Sequence, residues 1–289
     1  MLTAIIDCDV LVYASAFGAQ KTRYDVTLPG STAVLTFMDA KDRDEYLKVE
    51  GVDKKECEIT PWLDVLPESA ALSIARNNFE AILNELGTTE YQAYLTGEGN
   101  YREQVAVTKP YKGNRTQDKP VHYALVKDWY LNKVGAEVVD GMEADDMMGI
   151  LATQDTHNVI CTIDKDLNQV PGLHYDWNLG KKYKVNKADG DRFFIMQLLT
   201  GDTTDNIPGM KGMGWKGAEK LYKEASELTS ALTTPAEYNW SFFESALALY
   251  EEKGYNKEYV EEQGQLLWIK RNKKEPLWTI EGFRKHLQE

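Results

Sequence analysis

The sequence predicts an α/β fold: a mostly parallel central sheet flanked by helices, followed by a C-terminal helical region. Three observations predict it. Short apolar, β-branched runs end abruptly in an acid, Leu2 to Ile6 before Asp7 and Asn158 to Ile163 before Asp164. Runs with apolar residues at helical spacing lie between them, and strand-like runs largely vanish after Asp189. In such sheets ligands bind beyond the carboxyl ends of the strands, where Asp7 and Asp164 fall.

In chain order, Leu2 to Ile6 reads as a buried strand that delivers Asp7 at its end. Lys21 to Pro67 has no clear period, carries Pro29, Gly30 and Pro61, and reads as an insertion with weak strands at its centre. Glu68 to Leu86 has helical spacing and stops at Gly87; Tyr91 to Leu95 is a second strand. Val121 to Val134 is a helix stopped by Gly135, Glu143 to Thr153 another, and Asn158 to Ile163 a third strand. Helical patterns follow at Asp191 to Leu199, Lys216 to Ala225 and Ser241 to Lys253. A boundary near Asn186 divides the chain into an α/β domain over 1–187, with an insertion at about 21–67, and a helical domain over 188–289.

Composition narrows the class. Hydrophobic residues at 43% and charged residues at 27% exclude a disordered or fibrous chain. No apolar run approaches the roughly 20 residues a membrane span needs. Asp7 and Asp9 interrupt the stretch where a signal peptide would be apolar, so a cytoplasmic protein without a membrane partner is expected. Cys8, Cys57 and Cys161 have no metal-type spacing and imply no disulfide framework. A net charge of -13 argues at first sight against nucleic acid. Basic residues are nevertheless concentrated at Lys109, Lys112, Arg115 and Lys119, at Lys181, Lys182 and Lys184, and at Lys211, Lys216, Lys220 and Lys223. Distribution matters more than the total, although each run read alone is also an ordinary solvated face.

Four acidic groups stand where elements begin or end: Asp7; Glu143, Asp145 and Asp146; Asp164 and Asp166; Asp202 and Asp205. Carboxylates converging on one place repel each other unless cations neutralise them. Hard oxygen donors suit Mg²⁺ or Mn²⁺, and two such ions can polarise a phosphoryl group without a nucleophilic side chain. Glu143 and Asp146 are three apart and would share one face of a first helical turn. Taken singly, Glu143, Asp145 and Asp146 also suit simple helix capping, and Asp164 with Asp166 an Asx turn. Asp9 alternates with Asp7, which puts it either on the same side of a continued strand or in a turn.

With these motifs in view, the sequence resembles the 5′ to 3′ exonuclease and flap endonuclease family, particularly the phage replication exonucleases of short-tailed phages of enteric bacteria. The resemblance is carried by IIDCDVLVY near the start, YKGNR at Tyr111 to Arg115, MEADDM at Met142 to Met147, TIDKDLNQ at Thr162 to Gln169, and GDTTDNIPGMKGMGWKGAEKL at Gly201 to Leu221. Five short motifs in family order make chance similarity improbable.

The resemblance implies a 5′ to 3′ exodeoxyribonuclease working by a two-metal mechanism from duplex 5′ ends. Flap cleavage, RNA-primer removal and a place in phage DNA replication, in the host cytoplasm, come with it, as do RNA–DNA hybrids, flaps and replication proteins as partners. Asp7, Glu143, Asp145 and Asp146 would build one site for Mg²⁺ or Mn²⁺, and Asp164, Asp166, Asp202 and Asp205 the second. Lys112 and Arg115 would steer the scissile phosphate and stabilise charge developing on it. Tyr111 either stacks on a terminal base or packs as an aromatic at a helix entry. Gly209, Gly212, Gly214 and Lys216 match the family's helix-hairpin-helix element, which binds DNA and seats a monovalent cation such as K⁺; without the family, such glycines mark only a tight turn.

One departure stands out. The family commonly carries another metal-binding aspartate where this chain reads YLTGEGNYR, so Thr96 occupies the place of an acid, and whether Glu98 substitutes from the loop is left open by the sequence. The link from Arg115 to Val121 is brief, which favours exonuclease over strict flap cleavage. The competing reading is a non-catalytic DNA-structure-binding protein on the same scaffold.

Overall fold

The computed structural model describes residues 1–227 and 234–288, with the side chain of residue 227 left out. Among them are nine strands: β1 Thr3–Asp7, β2 Gln20–Thr27, β3 Val34–Phe37, β4 Glu58–Val65, β5 Tyr91–Thr96, β6 Glu137–Val139, β7 Asn158–Cys161, β8 Gly172–Asp176 and β9 Lys181–Val185. They form two sheets, one ordered β6-β5-β1-β7-β8-β9 and one ordered β3-β2-β4. The larger sheet is parallel throughout except where β9 returns antiparallel to β8. The fold is thus mixed α/β, a mostly parallel central sheet flanked by helices with a helical C-terminal region. No helix among the described residues is long and apolar enough to cross a membrane.

The chain divides into two compact units. One comprises Met1–Val10, Ile82–Gln117 and Ala136–Glu289; the other comprises Leu11–Ala81 and Asp118–Gly135. The expected boundary at 187/188 is not where the chain divides, because the C-terminal helices are bonded into the unit that holds the large sheet. The buried Arg102 donates to the carbonyls of Leu266 and Trp268, and Gln169 Nε2 donates to that of Leu267. Each part still keeps its own apolar cluster. Ile5, Ile160, Met148, Leu167 and Ile269 pack between the sheet and the helix Ala144–Gln154. Phe194, Phe243, Trp268, Trp278 and Phe283 form an aromatic core among the later helices.

In the first unit, β1 lies between β5 and β7, with Ile5 in register with both Gln92 and Ile160. The chain runs from β1 to β5 and β6 on one side, then crosses to β7 on the other, so the carboxyl ends of β1 and β7 meet where the winding reverses. Every residue of β7 is buried, as a strand covered on both faces requires. In the second unit, the stretch read as an insertion is an antiparallel sheet, β2 paired over its full length with β4 and at its end with β3. The helix Glu68–Leu86 has its expected limits, and Gly87 follows with φ 63°. The helix expected over Val121 to Val134 is α-helical over Tyr123–Trp129 and widens to a π-turn over Tyr130–Val134 before Gly135 at φ 78°. There the buried Tyr130 hydroxyl donates to the carbonyl of Ala75, and Phe79 meets Trp129 edge-on.

Candidate active site

Asp7 closes β1, and the chain turns helical at once, because Asp7 Oδ1 accepts from the amide of Val10 at 3.1 Å in the first turn of the helix Cys8–Gly18. Asp9 therefore sits on that helix rather than on a continued strand, correcting one of its two expected placements. Its carboxylate accepts from the Thr96 amide at 2.9 Å. Asp7 Oδ2 accepts from Thr162 Oγ1 at 2.7 Å, which joins the ends of β1 and β7. Burial, with only 1% of the residue exposed, and then the charge of Asp9 push the Asp7 carboxyl up to about 7.

Beyond β7, Asp164 caps the short 3₁₀ helix Lys165–Gln169 by accepting from the amide of Asp166. Both acids are raised, chiefly by burial, Asp166 to about 7 with Asp164 the next cause. Asp166 Oδ1 accepts from Gln197 Nε2 at 2.7 Å, which ties it to the helix Lys187–Thr200. That helix ends at Gly201, where the chain folds into a tight loop closed by paired bonds between Asp202 and Ile207. Gly201 has φ 68°, and a side chain there would meet the Ile207 carbonyl at 2.2 Å, so only glycine fits. Asp202 Oδ1 accepts from the Thr204 and Asp205 amides at 2.7 and 3.3 Å. Burial raises the Asp202 carboxyl, but the Lys165 ammonium and these amides outweigh it and hold it below the usual range.

The YKGNR turn is locked onto this loop. Lys112 N donates to the Asp205 carbonyl, Asn206 Nδ2 to that of Pro110 and Asn114 Nδ2 to that of Thr203. Lys112 is held at φ 55°, uncommon for a residue with a side chain. From there Lys112 Nζ bonds Glu143 and stands 3.6 Å from Asp205, while Arg115 Nη2 lies 2.6 Å from Asp205 Oδ1. The Tyr111 hydroxyl is 3.0 Å from Glu143 Oε2 and 2.9 Å from Asp205 Oδ2, sharing its one proton between them. Burial and these carboxylates raise the phenol far above its ordinary value.

Glu143 is the N-cap of the helix Ala144–Gln154. The next two acids part company. Asp145 lines the cleft with Glu143, Asp164, Asp166, Asp202 and Asp205, and its carboxyl is driven well up by burial, then by Asp7, Asp164 and Glu143. Asp146 is absent from that lining. It is wholly buried, accepts the Glu143 amide at 3.2 Å and the Lys270 amide at 3.0 Å, and is paired with Arg102. Glu143 and Asp146 do share the first turn, as their spacing of three led one to expect, but as a reciprocal cap: Asp146 turns inward to close that turn, while Glu143 lines the cleft. Thr96, in the place of an acid, accepts the Ala144 amide at 2.9 Å and so also caps this helix. Glu98 is exposed and does not line the cleft.

Sequence reasoning missed two cations. Arg102 lines the cleft from beneath, 3.8 Å from Glu143, and Lys165 stands 3.2 Å from both Asp166 and Asp202. Lys165 lay inside the TIDKDL motif and could have been weighed there, whereas nothing in the local sequence marked Arg102. Among the described residues no three acid, imidazole or thiolate donors are already gathered closely enough to hold one ion. The carboxylates instead close on Lys112, Arg115 and Lys165. Hard oxygen donors, with Asp7, Asp145, Asp164 and Asp166 raised chiefly by burial, suit a divalent cation such as Mg²⁺ or Mn²⁺, whose charge would offset theirs.

The glycine-rich stretch lies between the helices Lys187–Thr200 and Trp215–Glu227. Gly209 does not offer its backbone to a ligand. Its amide donates to Gln263 Oε1, its carbonyl accepts from Tyr259 Oη, and a side chain there would strike Gly201 N at 2.3 Å. Packing by itself requires a glycine at this position. Gly212, at φ 81°, and Gly214 have nothing within 4 Å of a would-be side chain, and the exposed Lys216 lies in the first turn of the helix that follows.

No protein-family model matches the chain. It is 34% identical to the thermostable DNA polymerase I of Thermus caldophilus over 186 residues, 57% of this chain and 22% of that protein. It is 35% identical to that of Thermus aquaticus over 142 residues, 42% of this chain and 17% of that protein. Over 113 residues it is 36% identical to DNA polymerase I of Chloroflexus aurantiacus, 32% of this chain and 12% of that protein. The matched parts are thus about a fifth or less of these relatives' lengths. Two solved structures of a bacteriophage T5 protein, D15, are also similar. One, crystallized with metal ions, has a TM-score of 0.48 at 16% identity, covering 92% of this chain and 88% of that one. The other, a flap endonuclease pseudo-enzyme-product complex with DNA and metal ions, has a TM-score of 0.45 at 17% identity, covering 66% of this chain and 80% of that one. The resemblance to the 5′ to 3′ exonuclease and flap endonuclease family read from the motifs is borne out by the sequence relatives.

Proposed function

We propose that this chain is a divalent-metal-dependent nuclease that hydrolyses DNA phosphodiester bonds in the 5′ to 3′ direction from duplex 5′ ends. The carrying observation is one cleft that gathers Glu143, Asp145, Asp164, Asp166, Asp202 and Asp205 from separate elements beside Lys112 and Arg115, with Asp7 buried against Asp145. In this reading Asp7, Glu143 and Asp145 serve one ion and Asp164, Asp166, Asp202 and Asp205 the other. When bound, Mg²⁺ or Mn²⁺ supplies the positive charge that polarises the phosphoryl group and activates water. Asp146 is a support for Glu143 rather than a ligand, since its oxygens are taken by Arg102 and two amides.

The chain's own groups set up the substrate. Lys112 and Arg115, held by their turn against the Asp202–Ile207 loop, would bind the scissile phosphate. Tyr111 holds the Glu143 and Asp205 carboxylates in place by bonding both, a positioning task in place of base stacking. Likeness to DNA polymerase I supports a place in replication, with flaps and RNA–DNA hybrids as further substrates of the same cleft. Gly212, Gly214 and Lys216 remain the proposed contacts with the duplex, and K⁺ the cation for that turn.

The test is release of labelled nucleotides from a 5′-labelled duplex with Mg²⁺ and with chelator, for the parent and for Asp145→Asn. Metal-dependent release that the variant lacks is expected; equal release by both rejects the mechanism. One observation favours a second reading, a DNA-structure-binding protein without turnover: Thr96 occupies an acid's place and is committed to a helix cap. Tight duplex binding with no release at any Mg²⁺ or Mn²⁺ concentration would select it.

A further inference from the structure

We infer that a second cavity, on the other side of the Asp202–Ile207 loop, is a subsite for one nucleotide unit of the substrate strand. This rests on the nuclease reading. The cavity measures about 570 Å³, within the range that small ligands fill and ample for a nucleotide. Its walls carry Lys109 and Lys211 and no acidic residue, in a chain of net charge -13, whereas the metal cleft is lined by six carboxylates. A positive cavity on an acidic protein selects a phosphate-bearing ligand.

The walls are built rather than incidental. Asn114 and Asn206 line the cavity while donating to the carbonyls of Thr203 and Pro110, the bonds that lock the YKGNR turn to the loop. Lys109 is set at the rim because the amides of Val107 and Thr108 are both bound by Glu262 of the helix Lys257–Leu267. Tyr255 and Tyr259 stack at 4.7 Å, and their hydroxyls are fixed, Tyr259 donating to the Gly209 carbonyl and Tyr255 accepting from the Lys211 amide. The cavity therefore offers a preset aromatic wall together with two lysines, the combination that takes one base and its adjoining phosphates. Thr203 and Ile207 belong to the loop that carries Asp202 and Asp205, so a strand seated here is registered against the metal cleft.

The test measures binding of a fluorescent duplex with a short single-stranded end, in chelator, across a salt series, for the parent, for Lys109→Ala with Lys211→Ala, and for Lys109→Arg with Lys211→Arg. The alanine variant should bind about tenfold more weakly, and its slope of log affinity against log salt should fall by about 1.4 to 1.8, the loss of two phosphate contacts. The arginine variant should restore both. Unchanged affinity and slope in the alanine variant overturn the subsite, and so does displacement of the duplex by a mononucleotide as effectively as by an oligonucleotide, which would mark a site for released product. A parent that fails to cleave in Mg²⁺ defeats the nuclease reading instead, and is scored separately.

Discussion

Arg102 grips Asp146 with both terminal nitrogens, Nη1 to Oδ2 at 2.6 Å and Nη2 to Oδ1 at 3.1 Å, with Asp146 fully buried and Arg102 only 2% exposed. The guanidinium also bonds the Leu266 and Trp268 carbonyls, and Asp146 the Lys270 amide. One ion pair thus fastens the start of the helix Ala144–Gln154 to the segment 266–270. Removing one partner leaves an uncompensated buried charge, which costs far more than the pair itself contributes. Arg102→Ala should lose about 3–5 kcal/mol of unfolding free energy in urea titration. Asp145→Asn should lose none and abolish cleavage. A stable Arg102→Ala protein would show that the clasp is dispensable.

Protonation gives a second prediction. Asp7 and Asp166 hold their protons to about 7 when folded, against an ordinary 3.8, chiefly through burial and then through Asp9 and Asp164 respectively. The folded chain therefore binds protons that the unfolded chain releases, and this stabilisation is complete below 3.8 and lost as pH rises through about 7. Asp202 has the opposite sign: its carboxyl is lowered, so its contribution is present above 3.8 and lost only in stronger acid. In chelator the melting temperature should fall as pH rises from about 5 to about 7.5, and Mg²⁺ should restore more at the higher pH, where it no longer competes with protons. A melting temperature that stays flat in chelator across that range contradicts the carboxylate cluster.

Lys112 is bonded to Glu143 and faces the cleft from a turn pinned by Asp205. Its replacement by Ala should cut the single-turnover rate by about 10²–10³, the usual loss for one preorganised charge donor, while duplex affinity falls little. Equal rates for variant and parent remove Lys112 from the catalytic group.

Thr96 caps the helix Ala144–Gln154 through Oγ1. Thr96→Val should cost about 1 kcal/mol of stability. Thr96→Asp keeps an acceptor there and adds a carboxylate near Asp9, so half-maximal cleavage should need less Mg²⁺ than in the parent. A higher Mg²⁺ requirement in Thr96→Asp would mean that the position lies outside the reach of the ion.

Gly201 lets the loop carrying Asp202 and Asp205 fold back on itself, with the Ile207 carbonyl 2.2 Å from any added side chain. Gly201→Ala should lower both the melting temperature and the cleavage rate, because the carbonyl that must give way belongs to the loop holding the acids. Parental values for both would show that the loop adapts freely.

The sequence by itself determined three strands of the large sheet, β1, β5 and β7, the acids that follow β1 and β7, and the helices Glu68–Leu86 and Ala144–Gln154 to within a residue. These depend on local periodicity, on glycine at helix ends and on which residues terminate an apolar run. Asp7, Asp164 and Glu68–Leu86 were legible for that reason. Only the tertiary structure decided which acids share a cleft. Neighbours on a helix point about 100° apart, so Asp145 faces the cleft while Asp146 turns into the protein, and two adjacent letters say nothing of which does which. Arg102 and the packing of Gly209 against Gly201 were hidden because their partners lie far away along the chain or across a turn. The same holds for the compact units: the C-terminal helices join the sheet through buried bonds from Arg102 and Gln169 that no local pattern encodes.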